Sequence, residues 1–586
     1  MVRSYMPRGR YKVGVRDLSL YPGPVELHPE KHLFGRIFYP CDDQSTSIVP
    51  ILWTGSLYSA HGYSGFPFAH KSDWQSALIR HSLTAVAWCL GSTTRLWGYW
   101  NAHLPQPPKE GDLMCARDLH PDDARDIMLS TSNQMSTPLT DGHKFPVVIF
   151  SHGLAGQRNT YSCICMELAS QGVVVLAVEH CDGSASVAQL AGPNMRWQAW
   201  EKETVRQAKG SWRWYRGLGD STKWCERTEW RALELRTAFR MLSELNEGKP
   251  DPNLSVSGCT KVSQLHTLFR DRLDLERTAV MGHSYGGATA TLAASSYPEF
   301  KCAAALDPWW DALPSQCPAL TSWQSPSPLL VLGSHSWNTP DVSTGKMMCN
   351  EERQSLLLEA AQVTGGGALH IVPKGSNHHS FGDLAFLFDS FLGPLRTLFL
   401  RRGTATTSQL PNSRAHDINC ECLSRFLMDH LPGGISHLKD PRTHQGQSPF
   451  IHNQSMSPPD AREGDRACTG VATSVSDASV EIKVPKTSST SIKDAHLSSL
   501  STQQAHQHIM ASSLLQGTLP ESRYLTSLDI CDGLHDPRLP GHDNVGLHTG
   551  GNIHKYSRQA IPFKPSDDVA YREILGADLH SIRLAV

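Results

Sequence analysis

The sequence lacks several features that mark large classes of proteins. It has no run of about 18 or more apolar residues, which excludes an ordinary transmembrane helix. It has no excess of basic residues either, because 54 Lys and Arg residues stand against 56 Asp and Glu residues and the net charge is -2. Since the phosphate backbone of a nucleic acid attracts a basic surface, this composition argues against a nucleic-acid partner.

The N-terminal residues carry no visible targeting signal. Residues 1–10 contain no apolar segment of the kind found in a secretory signal peptide. Val2 stands where N-myristoylation requires glycine, so no lipid anchor is expected. The sequence therefore predicts a cytoplasmic protein that associates with membranes reversibly, or a secreted one if the N-terminus is incomplete.

Cysteine is scattered and forms no recognisable metal motif. The 15 cysteines include two C-x-C pairs, at Cys163/Cys165 and Cys420/Cys422, but neither pair has the two further ligands of a structural zinc site. No H-E-x-x-H motif is present in the sequence. We therefore expect no metal and no cofactor.

Composition divides the chain into three regions. Residues 1–143 mix proline, glycine and aromatic residues with few periodic runs, whereas 144–431 contains most of the apolar runs. Residues 432–586 are rich in Ser, Thr, His, Gln, Asp and Pro, a composition that buries too little apolar surface to offset the chain entropy lost on folding. This tail is predicted to be of low complexity and disordered, with no partner identified; short stretches such as 571–575 are expected to order only on a partner.

The middle region alternates apolar runs with helical patterns. Unbroken β-branched runs favour strands that are covered on both faces, as in a parallel sheet. A helix is predicted over 161–170, and residues 229–246 place their apolar side chains on one helical face. The predicted strands are 145–150, 173–178, 278–281, 302–306, 329–332 and 369–372. Strands that alternate with helices predict a doubly wound α/β domain with a mostly parallel sheet and helices on both faces.

A G-x-S-x-G motif at Gly282, Ser284 and Gly286 lies between a predicted strand and a helix of small residues. A nucleophilic serine must project from a tight strand-to-helix turn, where the crowded backbone requires glycine two residues before and two residues after it. The bare motif is weak evidence, and a structural turn or an inactive enzyme is the alternative. The strand–turn–helix context predicts that Ser284 is the nucleophile of an α/β-hydrolase fold.

Candidate partners of this serine follow in the order acid, then histidine, that α/β-hydrolases use. Asp307 closes the predicted strand 302–306, where the carboxyl end of a strand meets the active-site edge of the sheet. The alternative is an aspartate that caps a loop. His378 follows the last predicted strand and is the preferred base, with His379 as the second choice.

The loop Ser151–Gly156 follows the first apolar strand of the middle region. In this fold one donor of the oxyanion hole comes from such a loop, and the other is the residue after the nucleophile. The backbone N–H groups of Leu154 and Tyr285 are therefore the predicted oxyanion donors.

Several segments, in order along the chain, resemble the platelet-activating factor acetylhydrolases. They are 150–154, 168–172, 178–186, 282–288, 306–309 and 375–381. The resemblance implies calcium-independent phospholipase A2 chemistry, in which a short or oxidised acyl group is removed from the sn-2 position of a phospholipid. It places the triad at Ser284, Asp307 and His378. The chain departs from the family at Tyr285, where the plasma enzyme has phenylalanine, and at Pro308.

A phospholipid substrate implies transient contact with a membrane or lipoprotein surface. Residues 79–100 and 392–402 carry apolar, aromatic and arginine side chains suited to shallow insertion, and both lie where the resemblance places interfacial helices. The candidate contacts are Trp97, Trp100, Leu395 and Phe399, and packing against the core is the alternative. The alternative functions are a broad short-chain carboxylesterase and an inactive lipid-binding scaffold.

Overall fold

The computed structural model describes much of the chain before residue 433 and the last part of the tail. The described residues are 5–20, 32–41, 51–54, 56–69, 73–105, 144–189, 212–215, 217, 220–257, 259, 262–321, 323, 327–340, 345, 347–363, 366–385, 410–432, 559–564 and 566–585. All of them lie in one compact unit of the chain. Within this described part, no helix is long and apolar enough to cross a membrane.

The described strands form one large sheet and two small ones. They are β1 (Lys12–Leu20), β2 (Leu33–Cys41), β3 (Ile51–Leu52), β4 (Arg95–Leu96), β5 (Tyr99–Trp100), β6 (Phe145–Ser151), β7 (Val174–Glu179), β8 (Val187–Gln189), β9 (Trp212–Trp214), β10 (Leu254–Val256), β11 (Leu273–His283), β12 (Cys302–Leu306), β13 (Leu329–Leu332), β14 (Ala368–Pro373) and β15 (Leu579–Ala585). The large sheet has the order β10-β1-β2-β7-β6-β11-β12-β13-β14-β15, with β5 beside β1. Its strands from β7 to β14 are parallel, and β2 and β15 flank them in antiparallel pairs.

Helices connect most of the parallel strands. The helices are α1 (Leu57–Gly65), α2 (Trp74–Thr93), α3 (Ser162–Ser170), α4 (Ser221–Asn246), α5 (Val262–Leu268), α6 (Tyr285–Ser296), α7 (Pro318–Thr321), α8 (Glu351–Val363), α9 (Asn412–His430) and α10 (Asp567–Leu575). Short 3₁₀ helices lie at Phe66–Phe68, Trp310–Ala312, His378–Phe381 and Gly576–Asp578.

Both faces of the parallel strands are covered by helices. Val147 of β6 packs in one buried cluster together with Leu235 of α4. Its neighbour Val148 points to the opposite face and packs in a second cluster with Phe426 of α9. Successive residues of a strand point to opposite faces, so an unbroken apolar run is what such a two-sided core requires. The predicted α/β fold with a mostly parallel sheet is confirmed, and β12 and β13 have the predicted bounds.

The first two strands belong to the same sheet, although no strand was predicted there from the sequence. Their buried faces include charged residues, and these form ion pairs inside the domain. Arg36 Nε lies 2.7 Å from Asp17 Oδ1, and Arg158 Nη2 lies 3.4 Å from Asp17 Oδ2. Removing one partner of a buried pair leaves a desolvated charge that costs about 3–5 kcal/mol. In the described part of residues 1–105, β1, β2 and β5 therefore belong to the large sheet.

The prediction of a disordered tail over 432–586 is wrong for its last part. Residues 433–558 lie outside the described residues, but β15 pairs with β14 from Ala368 to Pro373. Tyr571 and Leu575 of α10 are buried in the same cluster as α9. Ile561 N–H donates to the carbonyl of His430 at 3.1 Å, and Lys374 N–H donates to the carbonyl of Asp578. From the sequence, residues 571–575 were expected to become ordered only when bound to a partner. In the structure they pack instead on the α/β domain of the same chain.

Truncation after Pro432 should therefore destabilise the domain strongly. The cut removes the neighbour of β14 and the buried side chains of Phe563, Tyr571 and Leu575. Each buried side chain of this size contributes about 1.5–3 kcal/mol, so the loss is comparable with the whole stability of a domain. Thermal unfolding and the soluble fraction after expression measure the effect.

Excision of residues 433–558 is the matched control. Because His430 and Ile561 are hydrogen-bonded to each other, a short glycine–serine linker can join Pro432 to residue 559. This variant should keep the melting temperature and the ester hydrolysis of the full chain. A truncated protein that melts at the same temperature as the excision variant would show that the C-terminal strand adds nothing to the fold.

Candidate active site

Ser284 lies at the sharp turn between β11 and α6. Its φ of 56° falls in the left-handed region, which is strained for a residue other than glycine. The two flanking glycines are required by close backbone contacts. A Cβ atom on Gly282 would lie 2.2 Å from the carbonyl oxygen of Gly286, and one on Gly286 would lie 2.1 Å from that of Ser151. The turn therefore fits a nucleophile elbow, as the motif predicts.

Asp307 and His378 meet at the carboxyl edge of the sheet. Asp307 follows β12, and its Oδ2 lies 2.7 Å from Nδ1 of His378, the first residue of the 3₁₀ helix after β14. Both side chains are buried. Asn377 accepts a hydrogen bond from His379 N–H and fixes the start of this short helix. The sheet thus brings together the two partners that the sequence assigns to Ser284.

Ser334, just after the end of β13, holds the carboxylate of Asp307. Its N–H donates to Oδ1 at 2.7 Å and its hydroxyl donates to Oδ2 at 2.6 Å. Burial raises the pKa of Asp307 to about 6, although both hydrogen bonds from Ser334 favour the carboxylate. Asp307 is therefore ionised at neutral pH and can orient the imidazole of His378.

His379 occupies a different position from its neighbour. It lies on the wall of the cleft at Ser284, and its ring centroid is 5.9 Å from that of His378. Burial lowers the pKa of His379 below the ordinary value of a histidine. The hydrogen bond of Asp307 to His378 favours His378 as the base.

The predicted oxyanion loop passes directly beside the nucleophile. A Cβ atom on Gly153 would lie 3.1 Å from Cβ of Ser284. Gly153 N–H donates to Tyr161 Oη at 3.2 Å, and Ala155 N–H donates to the carbonyl of Ser184 at 2.9 Å. Among the described hydrogen bonds of this loop, none uses the N–H of Leu154. That N–H and the N–H of Tyr285, at the start of α6, suit a pair of oxyanion donors.

A buried arginine contacts both the loop and the residue that supply the predicted oxyanion donors. Arg231 of α4 donates a hydrogen bond from Nη2 to the carbonyl of His152, which lies two residues before Leu154. Its guanidinium carbon also lies 4.3 Å from the ring centroid of Tyr285. Since Arg231 is fully buried, these contacts hold the loop and the elbow in one relative position.

A second buried network, of hydrogen bonds, holds the first residue of the loop. Ser151 Oγ lies 2.7 Å from Nε2 of His180, and Nδ1 of His180 is hydrogen-bonded to Glu234 of α4. Burial lowers the pKa of His180 well below its ordinary value and raises that of Glu234 well above its own. Burial therefore favours the neutral form of each group. Although the residue types resemble a triad, none of the three side chains lines the cleft at Ser284, so their role is structural.

A cleft opens onto Ser284 between α1, the oxyanion loop and the base loop. It is partly open to solvent, and its walls are mainly apolar and glycine-rich. The side chains of Phe66, Leu154 and Leu384 face it, together with Tyr63 and Tyr161. Apolar walls of this kind suit an acyl group next to the candidate nucleophile.

The predicted membrane contacts are only partly described. Trp97 and Trp100 are half-buried and pack against the second core cluster, and Arg36 lies 5.6 Å from the ring centroid of Trp100. Leu395 and Phe399 lie outside the described residues. A group of exposed large apolar side chains is found instead on the outer side of α2 and at the start of α1. They are Leu57, Trp74, Leu78, Ile79 and Val86.

No metal cluster is found in the described part of the chain, since no three His, Cys, Asp or Glu residues there are grouped to hold an ion.

Comparison with known sequences decides the family. The profile of the family described as platelet-activating factor acetylhydrolase, isoform II, matches residues 127–433, slightly more than half of the chain. The chain belongs to the platelet-activating factor acetylhydrolase family. The resemblance noted from the sequence segments is thereby confirmed.

Relatives in the platelet-activating factor acetylhydrolase family are moderately similar. The dog protein of that name is 30% identical over 314 residues, which cover 52% of this chain and 61% of the dog protein. The chicken protein is 31% identical over 299 residues, covering 50% and 63%. The match thus spans less than two thirds of these relatives. A solved ferulic acid esterase from Streptomyces cinnamoneus matches with a TM-score of 0.40 at 18% identity, over 73% of this chain and 93% of its own.

Sequence reasoning missed the residues that support this acetylhydrolase-like site. Ser334 could have been found, because it follows the predicted strand 329–332 at the same edge of the sheet as Asp307. Arg231 lies four residues before Leu235 on the apolar face of α4, and a charge in that position was the available signal. Trp337 and Tyr161 carried no signal, because their contacts depend on loops far apart in sequence.

Proposed function

We propose that the chain hydrolyses the sn-2 ester of phospholipids with a short or oxidised acyl group, releasing a lyso-phospholipid and the acid. For platelet-activating factor the acid is acetate. The observation that carries the proposal is the strained elbow at Ser284 next to the buried pair of Asp307 and His378. Family membership supports the phospholipid substrate class.

The proposed reaction proceeds through an acyl-enzyme. Ser284 Oγ attacks the ester carbonyl carbon, and its proton passes to Nε2 of His378, because Nδ1 is bonded to Asp307. The carbon–oxygen bond to glycerol then breaks, and the leaving alkoxide takes the proton from His378. Water repeats the sequence on the acyl-enzyme, with His378 again as base and then as acid, and releases the fatty acid and free Ser284.

The oxyanion is proposed to rest on the N–H groups of Leu154 and Tyr285. The positive end of α6 points toward the same place, since Ser284 is its N-cap residue. Arg231 supports the arrangement without contact to substrate, because it binds the loop and the ring of Tyr285 from behind. Removal of one such donor typically costs about 10²–10³ in turnover.

Membrane contact is proposed to occur through the outer side of α2. Trp74, Leu78 and Ile79 are 73%, 61% and 46% exposed, although they are large and apolar. The inner side of α2 packs on α1, where Ser64 Oγ and Thr84 Oγ1 lie 2.6 Å apart, and Tyr63 of α1 lines the cleft. An apolar helix face beside the entrance to an ester-binding cleft suits extraction of lipid from an interface.

Replacing Leu78 and Ile79 together by serine should weaken binding to phosphatidylcholine vesicles by about tenfold or more, since two partly inserted side chains are lost. Hydrolysis of lipid in vesicles should fall with binding, whereas hydrolysis of a soluble ester and the melting temperature should stay unchanged. Leu356→Ser, on the exposed side of α8, is the matched control. If both variants lost vesicle binding equally, α2 would have no special role in membrane contact.

The substrate proposal is tested by comparing three esters. The full chain should release acetate from an sn-2-acetyl phospholipid with a higher kcat/KM than from an aryl acetate, and should leave a long-chain sn-2 ester largely intact. Rapid cleavage of the aryl acetate alone would indicate a broad carboxylesterase. Lipid binding without cleavage of any of the three would indicate an inactive scaffold.

A further inference from the structure

The imidazole of His378 is stacked against an indole ring. The ring centroids of Trp337 and His378 are 3.8 Å apart, and the two planes differ by 7°. Both side chains are buried, with 6% of Trp337 and 5% of His378 exposed. The ring of His283 lies 4.5 Å from the same imidazole. Three neighbours therefore fix the base, namely a carboxylate at Nδ1 and two rings.

The backbone of Trp337 is tied to the group that orients Asp307. Trp337 N–H donates to Ser334 Oγ at 3.2 Å, and Ser334 Oγ donates in turn to Asp307 Oδ2 at 2.6 Å. Cys349 N–H donates to the carbonyl of Trp337 at 3.1 Å. The position of the indole is thus coupled to that of the carboxylate, and both are set relative to His378.

The physical effect of such a stack depends on the charge of the imidazole. Proton transfer from Ser284 would convert His378 into a cation, and the face of an aromatic ring attracts a cation, most strongly for tryptophan and most strongly when both are out of water. We propose that Trp337 is a positioning residue that stabilises the imidazolium form of His378 and so promotes proton transfer from the nucleophile. The inference rests on the proposed role of His378 as the base.

The other titratable groups around this ring do not supply the same effect. Asp307 acts in the plane of the imidazole through Nδ1. Burial lowers the pKa of His283 well below its ordinary value and lowers that of His379, and it lowers the pKa of His370, which faces Asp307, to about 4. These three histidines are therefore neutral near pH 7. The indole is the neighbour that acts on the face of the ring.

Trp337→Leu and Trp337→Phe, made in the full chain, test the proposal. With a soluble aryl acetate, the Leu variant should lose about tenfold or more in kcat with little change in KM, and the Phe variant should recover part of the loss. The acid limb of the kcat/KM profile should move to lower pH in the Leu variant, because the protonated imidazole is less stable without the indole. An acid limb that stays in place, or equal losses for Leu and Phe, would overturn the proposal.

Fluorinated tryptophans at position 337, introduced by stop-codon suppression, keep the shape of the side chain and so avoid any loss of folding. Because each added fluorine withdraws electron density from the ring face, kcat and the rate of Ser284 phosphonylation by a fluorophosphonate should fall stepwise. If both rates stayed constant across the series of fluorinated tryptophans, the proposed role of Trp337 would be wrong. If His378→Ala also kept wild-type phosphonylation, the triad itself would be rejected, so the two failures are distinguishable.

Discussion

Replacing Ser284 by alanine is expected to lower kcat/KM for a soluble ester by about 10⁴ to 10⁶, with the fold intact. The loss is large because Ser284, at the N-terminus of α6 beside the predicted oxyanion loop, is the proposed source of the attacking oxygen. Steady-state hydrolysis of an aryl acetate and thermal unfolding of the same preparation measure the two parts of this prediction.

Ser295→Ala is the matched control for this change. Ser295 is buried in the same helix, and its hydroxyl donates only locally, to the carbonyl of Leu292 at 2.9 Å. It should keep nearly full activity at a slightly lower melting temperature. A folded Ser284→Ala protein that retains more than about a tenth of the wild-type rate would sink the assignment, given the loss expected for a triad nucleophile.

Substitution of the two adjacent histidines should give very different results. His378→Ala should be nearly as severe as Ser284→Ala, because the imidazole bonded to Asp307 is the proposed proton acceptor. His379→Ala should be much milder and should act mainly on KM, since His379 lines the cleft. Each variant is the control for the other, because both residues lie at the start of the same short helix.

The kinetic constants of both variants with one soluble ester decide between them. If His379→Ala were the severe change and His378→Ala the mild one, the base would be His379 and the hydrogen bond of Asp307 would have a structural role. Rescue of His378→Ala by added imidazole would strengthen the assignment, because a small base could then enter the space left by the side chain.

The fold and the positions of Ser284 and Asp307 at the ends of strands could be predicted because their signals are local. Ser284 and Asp307 each follow an apolar run that can be read directly, and strand order places their ends at one edge of the sheet. Glycine at 282 and 286 is likewise visible in the motif, although part of the crowding that requires it comes from the carbonyl of Ser151 on β6.

The parts that could not be predicted depend on long-range contacts. Asp17 and Arg36 look like surface residues in the sequence, because nothing local shows that each will find a buried partner. The stack of Trp337 on His378 joins residues 41 positions apart through two loops. Tyr571 lies in a polar stretch, and its burial follows from the docking of α10 on α9, which no local pattern encodes.

The antiparallel pairing of β15 with β14 also affects the order of events during synthesis. Contacts between residues near 370 and residues near 582 have a large separation in sequence, and such contacts form slowly. A nascent chain can assemble β6 to β14 long before β15 leaves the ribosome, so its exposed β14 edge has to be kept from pairing with other chains in the meantime. Because Asp578 bonds to Lys374, just ahead of the loop that carries His378, the candidate active site would be completed only after β15 has emerged and docked on β14.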